Sequence, residues 1–254
     1  MSFVPKNAGA EPMSASSYAE AAALASLGCH VLLLDGRGTA WRERASRQAS
    51  YGAVHTASSL EDHIAAIEQL AEQSGTIDLE RIGITGFSAG GYMSALAALR
   101  HGDFFKVTVA GGGNYDQAAF WHCWGERYHG PYDEAHYRVQ AAKHYAAGLR
   151  GKLLLVHGLL DSGCHPGPLF QLVQARIDEN KDFDLVLIPK GQHQWTGYGQ
   201  RRRIDYFVQQ LFGARPPQAR RFLEPTEIAF ARLAANALAL PVAGQAQQHA
   251  NEGG

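Results

Sequence analysis

Arg81-Ile82-Gly83-Ile84-Thr85-Gly86-Phe87-Ser88-Ala89-Gly90-Gly91-Tyr92-Met93-Ser94-Ala95-Leu96 is the stretch whose reading decides the fold. Residues 81–85 read as a strand, and residues 89–99, small and apolar, read as a helix. Between them lies Gly-x-Ser-x-Gly. A strand turning sharply into a helix at such a pentapeptide holds its serine in a strained backbone conformation, with the hydroxyl clear of the sheet. The glycines are required sterically, because a Cβ there would keep strand and helix apart. Ser88 is therefore a candidate nucleophile. The N–H of Ala89, in the first turn of the helix, is a candidate donor to a developing oxyanion, where the helix dipole also helps. A glycine-rich turn with an incidental serine is the plainer alternative.

The pattern continues outward on both sides. Upstream, residues 16–27 are Ala-rich and helical, with Gly28 at the C-cap position. Residues 31–34 (Val-Leu-Leu-Leu) form an apolar run that suits a strand buried on both faces. Residues 60–73 carry Leu60, Ile64, Ile67 and Leu70 at helical spacing, with Ser58 or Ser59 as N-cap. Downstream, strands are expected at 105–110, 153–156 and 185–188, and helices at 134–147, 169–179 and 203–212. Such alternation means βαβ crossovers and a mostly parallel sheet with helices on both faces, an α/β fold. Residues 1–15 read as a flexible start and 16–215 as one catalytic domain. Residues 216–254 read as a further helix followed by a disordered tail.

Composition bounds the function. The 254 residues are 46% hydrophobic, enough for one sizeable core, and 23 basic residues nearly balance 24 acidic ones. That balance argues against nucleic acid or an anionic membrane as partner. Arg201-Arg202-Arg203, the one dense basic run, reads as a solvated helix face. Cys29, Cys123 and Cys164 have neither disulfide nor zinc spacing. With no apolar leader and no span-length apolar stretch, the chain reads as soluble and cytoplasmic. Asp35-Gly36-Arg37-Gly38 begins like a dinucleotide fingerprint, but Trp41 stands where the third glycine belongs. Gly111-Gly112-Gly113 lacks the Lys-Ser/Thr of a phosphate loop.

A serine hydroxyl needs a base, and the base an acid to orient it. In α/β-hydrolases the chain order is Ser, acid, His. Asp161 follows the strand at 153–156, and His193 follows the strand at 185–188, so both lie beyond C-terminal strand ends. They are the candidate acid and base. His165 is the rival base, and Asp116, Asp182 and Asp184 are the rival acids. His157 reads as a packed turn residue, and His122, His129, His136 and His144 as surface or packing residues.

Beyond single motifs, the chain resembles the catalytic domain of the prolyl oligopeptidase family of serine peptidases, in its dipeptidyl-peptidase IV-like branch. The resemblance is carried by Asp35-Gly36-Arg37-Gly38, Leu60-Glu61-Asp62-His63-Ile64, the run from Asp78 to Tyr92, Gly125-Glu126-Arg127-Tyr128-His129-Gly130, Leu153-Leu154-Leu155-Val156-His157-Gly158 and Lys181-Asp182-Phe183-Asp184-Leu185. It implies an α/β-hydrolase fold, the triad Ser88, Asp161 and His193, no metal or organic cofactor, and a peptide or small acyl substrate. It also implies a P1 pocket walled by Phe120 and Trp124, with Tyr128 beside them.

Three departures accompany the resemblance. A β-propeller is expected in such enzymes and is not seen in this sequence. The first strands of the hydrolase domain, and the loop that supplies an oxyanion tyrosine, are not expected in the residues before Val31. The acid loop reads Asp161-Ser162-Gly163-Cys164-His165 where relatives read Asp-Asp-Asn-Val-His, so Gly163 replaces an Asn that holds substrate. A bare apolar edge at residues 31–34 would favour a homodimer. A small-molecule esterase or amidase, and a weak or inactive remnant, remain the alternative functions.

Overall fold

A computed structural model describes residues 2–3, 15–34, 36–38, 43–54 and 60–217. Ser58, Ser59, Asp35, Trp41 and the helix expected after residue 216 lie outside the described residues. The strands are β1 (Ser2–Phe3), β2 (Val31–Leu32), β3 (Gly83–Phe87), β4 (Val107–Gly111), β5 (Lys152–Gly158) and β6 (Asp184–Ile188). The α-helices are α1 (Ala15–Ala25), α2 (Arg44–Gln48), α3 (Leu60–Ser74), α4 (Ala89–Arg100), α5 (His122–His129), α6 (Glu134–Arg138), α7 (Gly167–Asp178) and α8 (Gly197–Gln210). No helix among the described residues is long and apolar enough to cross a membrane.

Strands β3, β4, β5 and β6 are neighbours in that order and all parallel. The apolar runs explain why both faces are covered. On β5, Leu153 and Leu155 enter one core, with Ile82, Ile84, Leu96 and Leu172. Leu154 and Val156 point the other way, into a second core with Val107, Val109, Tyr206 and Phe207. A strand with apolar residues at every position has helices on both sides. α4 is buried from Gly90 to Leu99, and its small residues let it press onto β3 and β4. The 3₁₀ segment Ala142–Gly148 lies against α4 so closely that a Cβ on Gly148 would sit 2.1 Å from the Leu99 carbonyl oxygen. α8 covers the opposite face, against β4 and β5.

The front of the domain departs from expectation. A short strand does precede Val31: Ser2–Phe3 pairs in parallel with Val31–Leu32 and runs close to β3. Among the described residues β1 therefore lies between β2 and β3, with β2 outermost, and β1 and β2 form a two-stranded sheet of their own. Residues 31–34 are only half-buried, with Leu32 and Leu34 packed against the first core.

Element boundaries moved where side chains compete with the backbone. The strand expected at 81–85 starts two residues later, because Asp78 accepts from Glu80 N (2.9 Å) and closes the 3₁₀ turn Leu79–Arg81. The helix expected at 203 starts at Gly197, where Thr196 Oγ1 accepts from Gly199 N (3.0 Å). The basic run thus lies inside the helix, and Arg203 is 3% exposed, so it is not a solvated face.

Candidate active site

Ser88 is held at φ 60°, ψ −122°, in the left-handed half of φ, where a residue with a Cβ is strained by about 1–3 kcal/mol. The surroundings leave it no alternative. Its N–H donates to the Gly111 carbonyl (2.9 Å), and its own carbonyl accepts from Tyr92 N (3.0 Å). A Cβ on Gly86 would sit 2.4 Å from Gly90 O, and one on Gly91 would sit 2.2 Å from Gly111 O. The close approach expected of the motif glycines is thus present, and Gly91 extends it to the neighbouring strand. Ala89 begins α4, and N–H groups of a first helical turn have no partner within the helix.

The other two loops are tied together before they meet Ser88. Leu159 N donates to Ile188 O (3.0 Å) and Leu160 N to Gly191 O (2.9 Å). Gly158 lies so near Gly191 that a Cβ would be 2.4 Å from its carbonyl oxygen. This seam brings Asp161 and His193 to the same place. His193 Nδ1 lies 2.8 Å from Asp161 Oδ2 and 3.1 Å from Oδ1. His193 Nε2 lies 2.9 Å from Ser88 Oγ. The Asp161 carboxylate has no exposed surface, whereas the His193 ring is 34% exposed. Asp161 Oδ1 also accepts from Gly163 N (2.8 Å) and Cys164 N (2.7 Å), which fixes its plane. An imidazole held so, with Nδ1–H to the carboxylate, presents a basic Nε2 to the serine hydroxyl.

The rivals are engaged elsewhere. His165 is exposed and accepts from Gly167 N (3.1 Å). Asp116 pairs with Lys143 (2.9 Å), and Asp184 accepts from Tyr206 Oη (2.9 Å). Asp182 lies with Asp184 in a pocket with Lys152 and Tyr206, by the N-terminal ends of β5 and β6. His157 is buried, as a packed turn residue would be, and lies 2.8 Å from the Cys164 carbonyl through Nε2. Burial holds its pKa below the usual imidazole value, outweighing the bond to Cys164, so it braces the acid loop as a neutral ring.

Three contacts were not anticipated from the sequence. Cys164 Sγ stands 4.0 Å from Ser88 Oγ, and burial pushes its thiol up to about 12, too high to compete as a nucleophile. The Phe87 ring packs on His193 (5.0 Å between centroids) and on Trp195 (5.3 Å). A Cβ on Gly163 would meet the His193 ring at 2.9 Å. The position inside the elbow was a signal for Phe87. Gly163 was marked only by its departure from the family's acid loop, and Trp195 carried no signal, because ring packing has no sequence spacing.

Phe120, Trp124 and Tyr128 lie on the segment after β4 and on α5. Trp124 contacts Tyr128 at 4.6 Å and Phe120 edge-on at 5.4 Å. Phe120 stacks on exposed Trp121 at 6.0 Å with an 8° tilt. The three make one half-buried aromatic cluster.

The sequence profile of the prolyl oligopeptidase family matches residues 15–213. Mouse dipeptidyl peptidase 8 is 30% identical over 206 residues, covering 76% of this chain and 22% of that protein. Bovine prolyl endopeptidase FAP is 28% identical over 193 residues, covering 73% and 25%. The chain thus spans about a quarter or less of these relatives. Among solved structures, Porphyromonas gingivalis dipeptidyl peptidase 4 superposes with a TM-score of 0.72 at 26% identity, over 83% of this chain and 31% of that one. A putative dipeptidyl aminopeptidase IV from Bacteroides ovatus gives 0.73 at 24%, over 84% and 31%. The fold is that of these α/β hydrolases, and the chain belongs to the prolyl oligopeptidase family.

Proposed function

We propose that this chain is a serine hydrolase that cleaves peptide bonds through an acyl-enzyme. The observation that carries it is the continuous line from buried Asp161 through His193 to Ser88 Oγ, at 2.8 and 2.9 Å. Ser88 Oγ attacks the acyl carbon while His193 Nε2 takes its proton. The imidazolium, steadied by Asp161, returns that proton to the leaving amine. A water then attacks the acyl carbon and gives its proton to His193, and the acyl–Oγ bond breaks as His193 returns that proton to Ser88 Oγ, releasing the acid. Ala89 N–H receives the oxyanion. Phe120, Trp124 and Tyr128 form the apolar wall for a short peptide's P1 side chain, and no metal or organic cofactor takes part.

A fluorophosphonate probe tests the nucleophile. Labelling of wild type and none of Ser88→Ala is expected; equal labelling removes the reading. A Gly-Pro anilide cleaved faster than a p-nitrophenyl ester, relative to their uncatalysed rates, supports the peptidase assignment over an esterase. Two copies joined along the outer edge of β2 complete the proposal, and a monomeric mass by light scattering at micromolar concentration counts against that part.

A further inference from the structure

We infer that Trp195 and Arg203 are positioning residues for His193, and that the N-terminal helix α1 reaches the site through Glu20. The inference rests on the hydrolase reading above. Trp195 follows His193 by two residues, so whatever fixes its indole fixes the end of the His193 loop. That indole lies over the end of β4, where a Cβ on Gly111 would come within 2.4 Å of it. Gly111 is the residue whose carbonyl receives Ser88 N. Phe87 closes the triangle, touching both Trp195 and the His193 ring. Phe87 is itself backed by Gly112, at φ 49°, where a Cβ would sit 2.7 Å from its ring. The base loop and the elbow therefore share one rigid aromatic joint.

Arg203 locks that joint from outside. Its guanidinium lies 5.0 Å over the Trp195 ring and forms an ion pair with Glu20 of α1. Arg203 is 3% exposed, whereas the Glu20 side chain keeps 31% of its surface. A buried cation facing an indole is costly to leave without its anion, so the pair and the stacking support each other. The path runs from α1 through Glu20, Arg203, Trp195 and Phe87 to His193. Each step is a direct contact, and its end is the ring that must meet Ser88 Oγ.

The test uses the full chain and two readouts. The first is the acylation burst with a p-nitrophenyl ester, normalised to titrated active serines. Trp195→Leu and Arg203→Met are expected to lower the maximal acylation rate about tenfold or more, since small misplacements of a catalytic group cost that much. The concentration for half-saturation stays unchanged. Trp195→Phe and Arg203→Lys, which keep an aromatic ring and a cation, recover most of the rate. The second readout is the low-field proton resonance of His193 Nδ1, shared with Asp161, which needs no turnover. It is expected in wild type and in Ser88→Ala, and broadened or lost in Trp195→Leu and Arg203→Met. A resonance unchanged in both variants overturns the inference, as does wild-type acylation per active serine. Loss of activity in wild type with the same resonance pattern leaves the positioning intact and removes the hydrolase reading instead.

Discussion

Gly163→Asn introduces the residue that the family resemblance implies for the acid loop, and is expected to slow the proposed hydrolase. Gly163 is not at positive φ, so its backbone accepts a side chain. The obstacle is His193. A Cβ at position 163 would lie 2.9 Å from His193 Cγ and 3.2 Å from both Cδ2 and Nδ1. Ordinary carbon contacts are about 3.5–4.0 Å, so relief needs a movement of about 0.6–1 Å. The acid loop has little room to give, because the N–H groups of Gly163 and Cys164 are both bonded to Asp161. The partly exposed ring is the side that moves. Nε2 stands 2.9 Å from Ser88 Oγ, and that displacement takes it beyond the useful range, which ends near 3.2 Å. A loss of about 10- to 100-fold in acylation follows, or about 1.4–2.7 kcal/mol, with Gly163→Ala near the lower end. The assay is the ester burst per titrated serine, with thermal melting to confirm folding. Acylation by Gly163→Asn at or above the wild-type rate would refute the steric reasoning.

Asp161→Asn keeps an acceptor for Gly163 N and Cys164 N but offers an amide N–H to His193 Nδ1. The wrong tautomer results, and kcat is expected to fall about 10⁴-fold without loss of melting temperature. Gly91→Ala drives a methyl to within 2.2 Å of the Gly111 carbonyl oxygen. The expected cost is about 1–3 kcal/mol, seen as a melting temperature lower by about 3–10 °C. His63 is fully buried on α3, and burial lowers its pKa from 6.5 to about 4 despite Asp62 and Glu61 nearby. Between those values the unfolded chain binds the proton that the folded one refuses. Stability is therefore full above pH 6.5 and lost as pH falls toward 4, by up to about 3 kcal/mol. His63→Leu should flatten the melting temperature across that window, and an unchanged slope would show that other groups set it.

Legibility in the sequence followed the physics of each feature. The elbow was legible because its constraint is local: strand, two glycines and helix are adjacent, and Ser88 has the strained φ that the motif requires. Asp161 and His193 were legible by topology, since parallel strands deliver their C-terminal loops to one edge. The preference for His193 over His165 comes from the sequence, and the seam from Leu160 to Gly191 is what seats the His193 loop on the acid loop. Arg203 was misread because charge runs are usually solvated, and nothing along the chain marks Glu20 as its partner 183 residues away. β1 was missed because a two-residue strand has no periodicity to detect.

The departures from the family pattern bear on whether the chain is a working enzyme or a remnant. A relaxed loop drifts without regard to its neighbours. Here the replaced acid-loop residue is a glycine at the point where the His193 ring leaves no room for a Cβ. The same loop still gives two N–H bonds to Asp161 and places Cys164, with its thiol pushed up to about 12, beside Ser88 without offering a second nucleophile. At the front of the domain, where strands were expected to be lacking, β1 covers the inner edge of β2 and α1 supplies Glu20 to the Arg203 joint. The acid-loop departure thus ends in contacts at His193 and Asp161, and the Glu20–Arg203 pair ties the front of the domain to the base loop. Those contacts support the proposed reading of a working hydrolase over that of a remnant.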